Sequence, residues 1–543
     1  MGSCLDHVRP RSAIPAIRAG TIALSLSCIA ALAGGSGCTS FGSDDGGSTP
    51  ASSGGSPARD GGTDPVNGVG VVPSFAFGPM GPPQRVVQGS ATKLTLVVKR
   101  SESLTGAIAV TASGLPTGVT VEPLTLTGTS GELVVKASGS AKQGPFELTI
   151  DAVSGTARAT AKRALVVSGT PGTVDTTFGT GGSVGLPSAV SDLIAILVSG
   201  KDEIVSVAGC ASQVCVARLG RDGAVDASYG GTGEARLAIA KPRAVVLAPD
   251  GRVTVGGGVT GSGYVGRLTA AGAPDATLSS TGVLPLANGT IESGTLGAVR
   301  AVALGPNDST YVAFDSAQYF IGLRRLDKNG VSDQGFGGGL TLFRWSDRAE
   351  TTGLFVRPNG TLVLSGVDNS SNGFLHGYGI AQFDGATGAL DPAFGASGRK
   401  SFSGFGRVGF ERPLSILYPD GRVLSAFSTD GAPDTLVLFA ANGQTLDSNW
   451  GRAGVANLLG TFSSPSTLAR QADGKILLSA TSAKLARYLP SASIDVTFGA
   501  VGLVDLTTTC GPIGALAVQS DGRILVQCRA AAGGGATFVR LWD

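Results

Sequence analysis

Histidine is almost missing from this chain. His7 and His376 are the only two in 543 residues, so a Ser-His-Asp triad or a poly-histidine metal centre has next to nothing to be built from. Charge is thin as well, at 15% Asp, Glu, Lys and Arg, which excludes disorder of the highly charged kind. With 41 Lys and Arg against 39 Asp and Glu, no basic stripe stands out to follow a phosphate backbone, and nucleic acid is removed from the partners. Long Ala/Glu/Lys/Leu-rich runs of helical period are absent, which argues against an α-rich fold. Nor is there a Gly-rich phosphate loop, an HExxH or a Gly-x-Ser-x-Gly element in the required context, and Gly256-Gly257-Gly258 reads as a strand end. What is abundant is glycine, 85 residues, beside 42% hydrophobic residues. The length predicts several domains or one long repeat array.

Residues 1–37 read as an export signal. Arg9, Arg11 and Arg18 form a positive front, and Ala19 to Ala33 follow as 15 uncharged, largely apolar residues. As a helix that stretch reaches ~22 Å, short of the ~30 Å hydrocarbon core. It ends in Gly35-Ser36-Gly37-Cys38, which resembles a bacterial lipobox whose Cys is acylated and becomes the new N-terminus. Gly35 stands where the usual Leu would be, and ordinary signal cleavage nearby is the alternative. Loss of residues 1–37 leaves 38 basic and 38 acidic residues, a balance that gives no attraction to acidic lipid. Residues 38–70 hold the lipidated Cys and a tether of Ser-Asp-Asp-Gly-Gly-Ser type with almost no large apolar residue. Such a segment buries too little surface to offset its ordering entropy.

Residues 71–170 alternate. Leu94, Leu96 and Val98, then Ile108 and Val110, Leu133 and Val135, Phe146, Leu148 and Ile150, Leu165 and Val167 are spaced by two between Gly/Ser/Pro turns. That period means half-buried strands and predicts a two-sheet β-sandwich. Its Ser113-Gly-Leu-Pro-Thr-Gly-Val119 segment resembles the strand and turn of immunoglobulin-like modules in bacterial surface proteins, which implies a spacer more than a binding site.

Residues 171–543 repeat. An Asp-x-x-aromatic-Gly element recurs at Asp175, Asp226, Asp275, Asp333, Asp391, Asp447 and Asp495, 48 to 58 residues apart. The aromatics are Phe178, Tyr229, Phe336, Phe394, Trp450 and Phe498, with Leu278 the exception. Between copies lie tight turns such as Pro249-Asp250-Gly251-Arg252 and Pro419-Asp420-Gly421-Arg422, whose Asp-Gly pairs tolerate positive φ. A third strand follows, as in Val216-Ala-Arg-Leu219 and Phe538-Val-Arg-Leu541. About four short antiparallel strands per ~53 residues is one propeller blade, and seven units predict a seven-bladed β-propeller. The first Asp element precedes the first hairpin, whereas none follows Phe538–Trp542. Ring closure explains that offset, with the chain near Asp175 completing the sheet ended by the last strand; an open array would leave two exposed edges.

Val174-Asp-Thr-Thr-Phe-Gly-Thr-Gly-Gly182 and Ile494-Asp-Val-Thr-Phe-Gly499, with the Asp-Gly turns and Ala486-Arg-Tyr488, resemble the delta-60 repeat family of bacterial surface proteins over residues 172–543. The resemblance implies a propeller and an envelope address, and no established activity.

Arg218, Arg267, Arg325 and Arg487 each precede the next Asp of the series by eight residues. Across a hairpin with a three-residue loop, that spacing sets Arg opposite Asp. Arg540 would reach Asp175 across the closure. Where the spacing is nine, Gln382 and Leu438 stand in place of Arg. The simpler alternative is that each Asp accepts backbone N–H groups in its own turn.

A residue recurring in every unit is architecture, so functional candidates must be singular. Asp368, Asn372 and His376 lie in a polar insertion, Asp368 to Tyr378, with a partial likeness to an oxygen-rich calcium loop that lacks the twelfth-position Glu. Arg344, Trp345 and Arg348 lie in a second loop, and Phe405 to Arg412 forms a third. Loops on a rigid ring are where recognition is placed, and Trp and Arg are favoured there; drift in loop length is the alternative. Cys210 with Cys215 and Cys510 with Cys528 are the disulfide candidates, although a simple hairpin around Gly522 staggers the second pair. No metal and no cofactor is expected. The reading is an exported, outer-membrane-anchored monomer facing periplasm or cell surface, with no catalytic residue, binding an unknown protein or glycan. The alternative is a propeller enzyme, a metal-dependent hydrolase or lyase acting on envelope or extracellular polymers.

Overall fold

The computed structural model describes residues 74–543 except 187–189, 260, 287–289, 292–293, 317–319, 346–348, 370–375, 403–406, 409–413, 428, 431–433, 459–464, 481 and 530–534. The export segment, the tether, Cys38, Arg348 and Asn372 therefore lie outside the described residues.

The fold is all-β. Two sheets face each other over residues 75–168. One orders its strands Phe75–Phe77, Ala91–Arg100, Ser130–Ala137 and Val119–Val121. The other runs Gln84–Val87, Ala157–Ser168, Gly144–Ser154, Ile108–Ser113 and Leu124–Leu126, its first pair parallel. The period-two apolar positions supply one shared core: Leu94, Leu96, Val98, Ile108, Val110, Leu133, Val135, Leu148, Ile150, Leu165 and Val167 are all buried. The short strand Gln84–Val87 has no such alternation and is not legible in the sequence.

From Ser183 on, seven antiparallel sheets of four or five strands follow among the described residues. Sheet 1 runs from Asp192–Val198 to Glu234–Leu237, sheet 2 from Pro242–Leu247 to Val283–Leu286, and sheet 3 from Thr290–Ile291 to Thr341–Phe343. Sheet 4 runs from Ala349–Val356 to Arg399–Phe402, sheet 5 from Leu414–Leu417 to Val455–Asn457, and sheet 6 from Pro465–Arg470 to Leu503–Asp505. Sheet 7 joins both parts of the sequence: Ile513–Val518, Ile524–Arg529 and Ala536–Leu541 are completed by Ser183–Gly185. The pairing there is antiparallel, Ser183 opposite Val539 and Gly185 opposite Thr537. The first long strand of each sheet packs on that of the next, and that of sheet 7 packs on that of sheet 1, a propeller-like arrangement.

Apolar clusters sit between successive sheets because each second and third strand is buried on both faces. Phe178, Ile196, Ile204, Leu219, Leu525 and Phe538 fill the space between sheets 7 and 1. Val207, Val216, Tyr229, Val253 and Leu268 do the same between sheets 1 and 2.

Candidate functional site

Each recurring Asp uses its two carboxylate oxygens for different partners. Oδ1 accepts the backbone N–H two residues on, at 2.8 to 3.1 Å, from Thr177, Ser228, Thr277, Gly335, Ala393, Asn449 and Thr497. Where that residue is Thr or Ser, its hydroxyl donates to the same oxygen at 2.6 Å. Oδ2 accepts from the preceding strand: Arg218 Nε to Asp226 at 2.7 Å, Arg267 Nε to Asp275 at 2.5 Å, Arg325 Nε to Asp333 at 2.6 Å and Arg487 Nε to Asp495 at 2.8 Å. Arg540 Nε reaches Asp175 Oδ2 at 2.8 Å across the join between the two parts of sheet 7. The turn interaction and the ion pair thus coexist on one side chain.

At the two positions spaced by nine, the cation returns from elsewhere. Gln382 Nε2 donates to Asp391 Oδ2 at 2.6 Å, and Arg357 stands behind it on Gln382 Oε1. Arg422, from the Asp420-Gly421 turn, donates Nη1 to Asp447 Oδ2 at 2.6 Å. The longer turn absorbs the extra residue and keeps the register, since Asp447 N donates to Leu438 O at 2.8 Å as Asp226 N does to Arg218 O; Leu438 has no charge to offer, so the turn arginine supplies it.

Five of these arginines also tie their sheet to the next. Arg218 Nη1 donates to Ala270 O, Arg267 Nη2 to Lys328 O, Arg325 Nη1 to Gly385 O, Arg357 Nη2 to Gly421 O and Arg540 Nη1 to Arg221 O, at 2.6 to 2.8 Å. The glycine after the aromatic adds a second tie. The N–H groups of Gly179, Gly230, Gly337, Gly395 and Gly499 donate to Asp222, Ala271, Thr387, Asn442 and Pro171 in the neighbouring turn. The aromatic ring lies against a residue of that turn: a Cβ on Gly443, at φ +68, would sit 2.2 Å from Phe394 Cζ. Guanidinium groups cover several of these rings, Arg540 over Phe178 and Arg218 over Tyr229 both at 4.7 Å. The sequence shows the recurring aromatic-Gly pair but not the sheet to which it bonds.

The environment sets the ionisation. Hydrogen bonds from Ser228, then the Arg218 guanidinium, outweigh burial and hold Asp226 below the ordinary carboxylate value. Burial pushes Asp275 and Asp495 up, but their Thr hydroxyl and N–H donors together with Arg267 and Arg487 win, and both are lowered. Burial raises the Tyr229 hydroxyl to about 12.

The singular candidates come out differently. Trp345, expected on an exposed recognition loop, is 5% exposed and packs edge-on to Phe343 at 4.7 Å, in a core with Leu364 and Phe383. Gly379 leaves room for the ring, since a Cβ there would meet it at 2.7 Å. Arg344 lies 5.9 Å from the Phe320 ring centroid, and its carbonyl accepts from Arg399. Asp368 and His376 are placed by backbone only, Asp368 opposite Gly377 and His376 opposite Asn369 at the end of a hairpin. Cys210 bonds Cys215 and Cys510 bonds Cys528. The stagger expected for the second pair is removed by a turn: Cys510 N donates to Leu506 O and Gly511 N to Arg529 O, bringing Cys510 alongside Cys528. Among the described residues, no group of three or more His, Cys, Asp or Glu side chains is placed to hold a metal ion, and no helix is long and apolar enough to cross a membrane.

The sandwich grips the ends of the ring segment. Gln143 Oε1 accepts Thr176 N, Thr176 Oγ1 and Trp542 Nε1, each at 3.0 Å. Arg85 Nη2 donates to Asp543 O at 3.0 Å. A cleft of about 900 Å³ lies at this seam.

No protein-family model matches the chain, and no curated protein does. Among solved structures it is similar to a catalytically inactive virginiamycin B lyase from Staphylococcus aureus with quinupristin: 12% identity, TM-score 0.35, 66% of this chain and 98% of that one. A quinonprotein alcohol dehydrogenase-like protein from Bacteroides thetaiotaomicron VPI-5482 matches at 8% identity and TM-score 0.32, over 76% and 93%. PorZ, a surface component of the type-IX secretion system of Porphyromonas gingivalis, matches at 11% identity and TM-score 0.40, over 84% of this chain and 61% of that one. At these identities and scores the likeness carries no statement about site or activity.

Proposed function

We propose that the mature chain is a non-enzymatic cell-envelope lipoprotein that binds or scaffolds a protein or glycan partner. In this reading Cys38 carries the lipid anchor in the outer membrane, residues 38–70 are the tether, and residues 71–170 are an immunoglobulin-like module. Residues 171–543 are a seven-bladed propeller of delta-60 type, working as a monomer. The observation that supports it most is the use of the recurring carboxylates: one oxygen of each is engaged by its own turn and the other by Arg or Gln from an adjoining strand. The chemistry that repeats is used by the fold, so recognition falls to segments that differ between units.

The test is capture from envelope extracts by the mature chain, beside a variant with Arg344 and Arg348 changed to Ser and residues 370–375 replaced by a Gly-Ser loop. Phe343 and Trp345 stay, because they belong to the core. A partner captured by the parent and lost from the variant supports the reading; equal recovery from both disposes of the loops as the recognition surface.

A further inference from the structure

The turn of sheet 7 departs from its counterparts at the sandwich seam. In three other turns, the basic residue two positions after the turn Asp pairs with it. Arg252 Nε lies 2.6 Å from Asp250 Oδ2, Arg422 Nε 2.9 Å from Asp420 Oδ2 and Lys475 Nζ 2.6 Å from Asp473 Oδ2. In sheet 7, Arg523 Nε is 3.5 Å from Asp521 Oδ2, because Arg221 Nη2 from sheet 1 holds that oxygen at 2.5 Å. Asp521 Oδ1 is taken as well, by the N–H of Arg523 at 3.1 Å. The displaced guanidinium lies over Trp542, 4.5 Å from the ring centroid, with Nε 3.4 Å from Asp175 Oδ2. Its two terminal nitrogens have no acceptor among the described residues.

Arg523 lines the seam cleft together with Arg85, Arg221, Gln84, Thr177 and Asp222. Arg85 donates Nε to Ser168 Oγ and Nη2 to Asp543 O, and Arg221 donates Nη2 to Asp521. Each keeps its Nη1 unused among the described residues. Two of the cleft's carboxylates are already engaged, Asp521 as above and Asp543 Oδ1 by Gln471 Nε2 and Arg487 Nη1. Three guanidinium groups from three parts of the fold thus bring surplus N–H donors to one cavity. A planar guanidinium with free terminal N–H groups is the natural partner of a carboxylate. The volume, about 900 Å³, is of the order of small-molecule sites and far exceeds a lone oxyanion. Gln84 Nε2 is spent on Thr92 and Asp222 Oδ1 on Ala224 N, which leaves Gln84 Oε1 and Asp222 Oδ2 as acceptors of the kind sugar hydroxyls use.

We propose that the seam cleft binds an acidic oligosaccharide, its carboxylate held by the terminal nitrogens of Arg523, with Arg85 and Arg221 as flanking donors. None of the residues lining the cleft belongs to the segments 344–348 or 368–378. Titration calorimetry on the full mature chain with trigalacturonate, maltotriose and inorganic phosphate tests it. Trigalacturonate is expected to saturate one site per chain and to weaken with added salt. It should bind at least tenfold more weakly to Arg523→Gln and to Arg85→Gln, and unchanged to the variant with replaced loops. Arg85 is exposed and lies outside the ring, so Arg85→Gln keeps the test open should Arg523→Gln fail to fold. The proposal is overturned by lack of saturation with trigalacturonate, by both Arg variants binding it as tightly as the parent, by maltotriose or phosphate binding as tightly, or by loss of binding in the loop variant.

Discussion

Removing the carboxylate of Asp175 should cost the ring much of its cohesion. The side chain is wholly buried, accepts Thr177 N and Oγ1 on one oxygen, and meets Arg540 Nε at 2.8 Å on the other. Arg540 is itself 2% exposed and spends its remaining donors on Arg221 O, Gln519 Oε1 and Thr177 Oγ1. Those neutral acceptors do not balance its charge. Breaking a buried pair from one side costs about 3–5 kcal/mol, because the surviving charge stays desolvated. With a urea slope of about 3 kcal/mol/M, Asp175→Ala should lower the unfolding midpoint by ~1–1.7 M. Asp175→Asn keeps the acceptor for Thr177 but not the charge, and should fall between parent and Ala. Glu132→Ala is the control, since it breaks the pair between Lys93 and Glu132, which are 64% and 53% exposed and well solvated. Tryptophan fluorescence in a urea series gives all three midpoints. A shift for Asp175→Ala no larger than for Glu132→Ala would refute the reasoning.

Other outcomes follow from the same contacts. Trp345→Ala should destabilise by about 3–5 kcal/mol in urea melts, as loss of a core side chain does. Gly443→Ala should cost ~1–2 kcal/mol from its left-handed backbone alone, and more from the collision with Phe394, whereas Gly360→Ala, at φ +84 with open space, bears only the backbone cost. Asp226, Asp275 and Asp495 have folded values below the ordinary carboxylate value, so their contribution is fully present above the unfolded pKa of about 3.9 and is lost as pH falls through the folded value. Thermal midpoints should stay level through neutral pH and drop below about pH 4, and a drop centred near pH 6 would contradict this. Gln143→Ala removes the acceptor shared by Thr176 and Trp542 and should speed amide exchange at Thr176 relative to Asp226, read by mass spectrometry.

Much of the fold is legible because the pattern that fixes it is local. Alternation over Leu94–Val98 and Phe146–Ile150 marks strands with one buried face, and an Asp two residues before a Thr or Ser marks its own turn. The Arg to Asp spacing of eight is legible for the same reason, since a three-residue loop sets the register. Contacts between sheets leave no local trace. Nothing near Gly395 points to Asn442, 47 residues on, although its N–H donates there at 3.0 Å. Arg357 and Arg422 replace the missing cations from the turns that join other strands, and only the assembled neighbours show it. Trp345 was misplaced because loop position suggests exposure, while Gly379 on the adjacent strand makes the space that buries it. The release of Arg523 depends on Arg221, 302 residues earlier.

Sheet 7 is closed by the beginning of the repeat region, Ser183–Gly185 pairing with the last strand. Gly185 and Thr537 face each other there, flanked by the Leu186 N–H to Ala536 O bond, so they form a non-hydrogen-bonded pair at a spacing a disulfide spans. In the double variant Gly185→Cys, Thr537→Cys, peptide mapping of the oxidised monomer should recover one peptide linking 185 to 537 beside the native pairs. Free thiols at both positions, or linkage only between molecules, would contradict the closed ring.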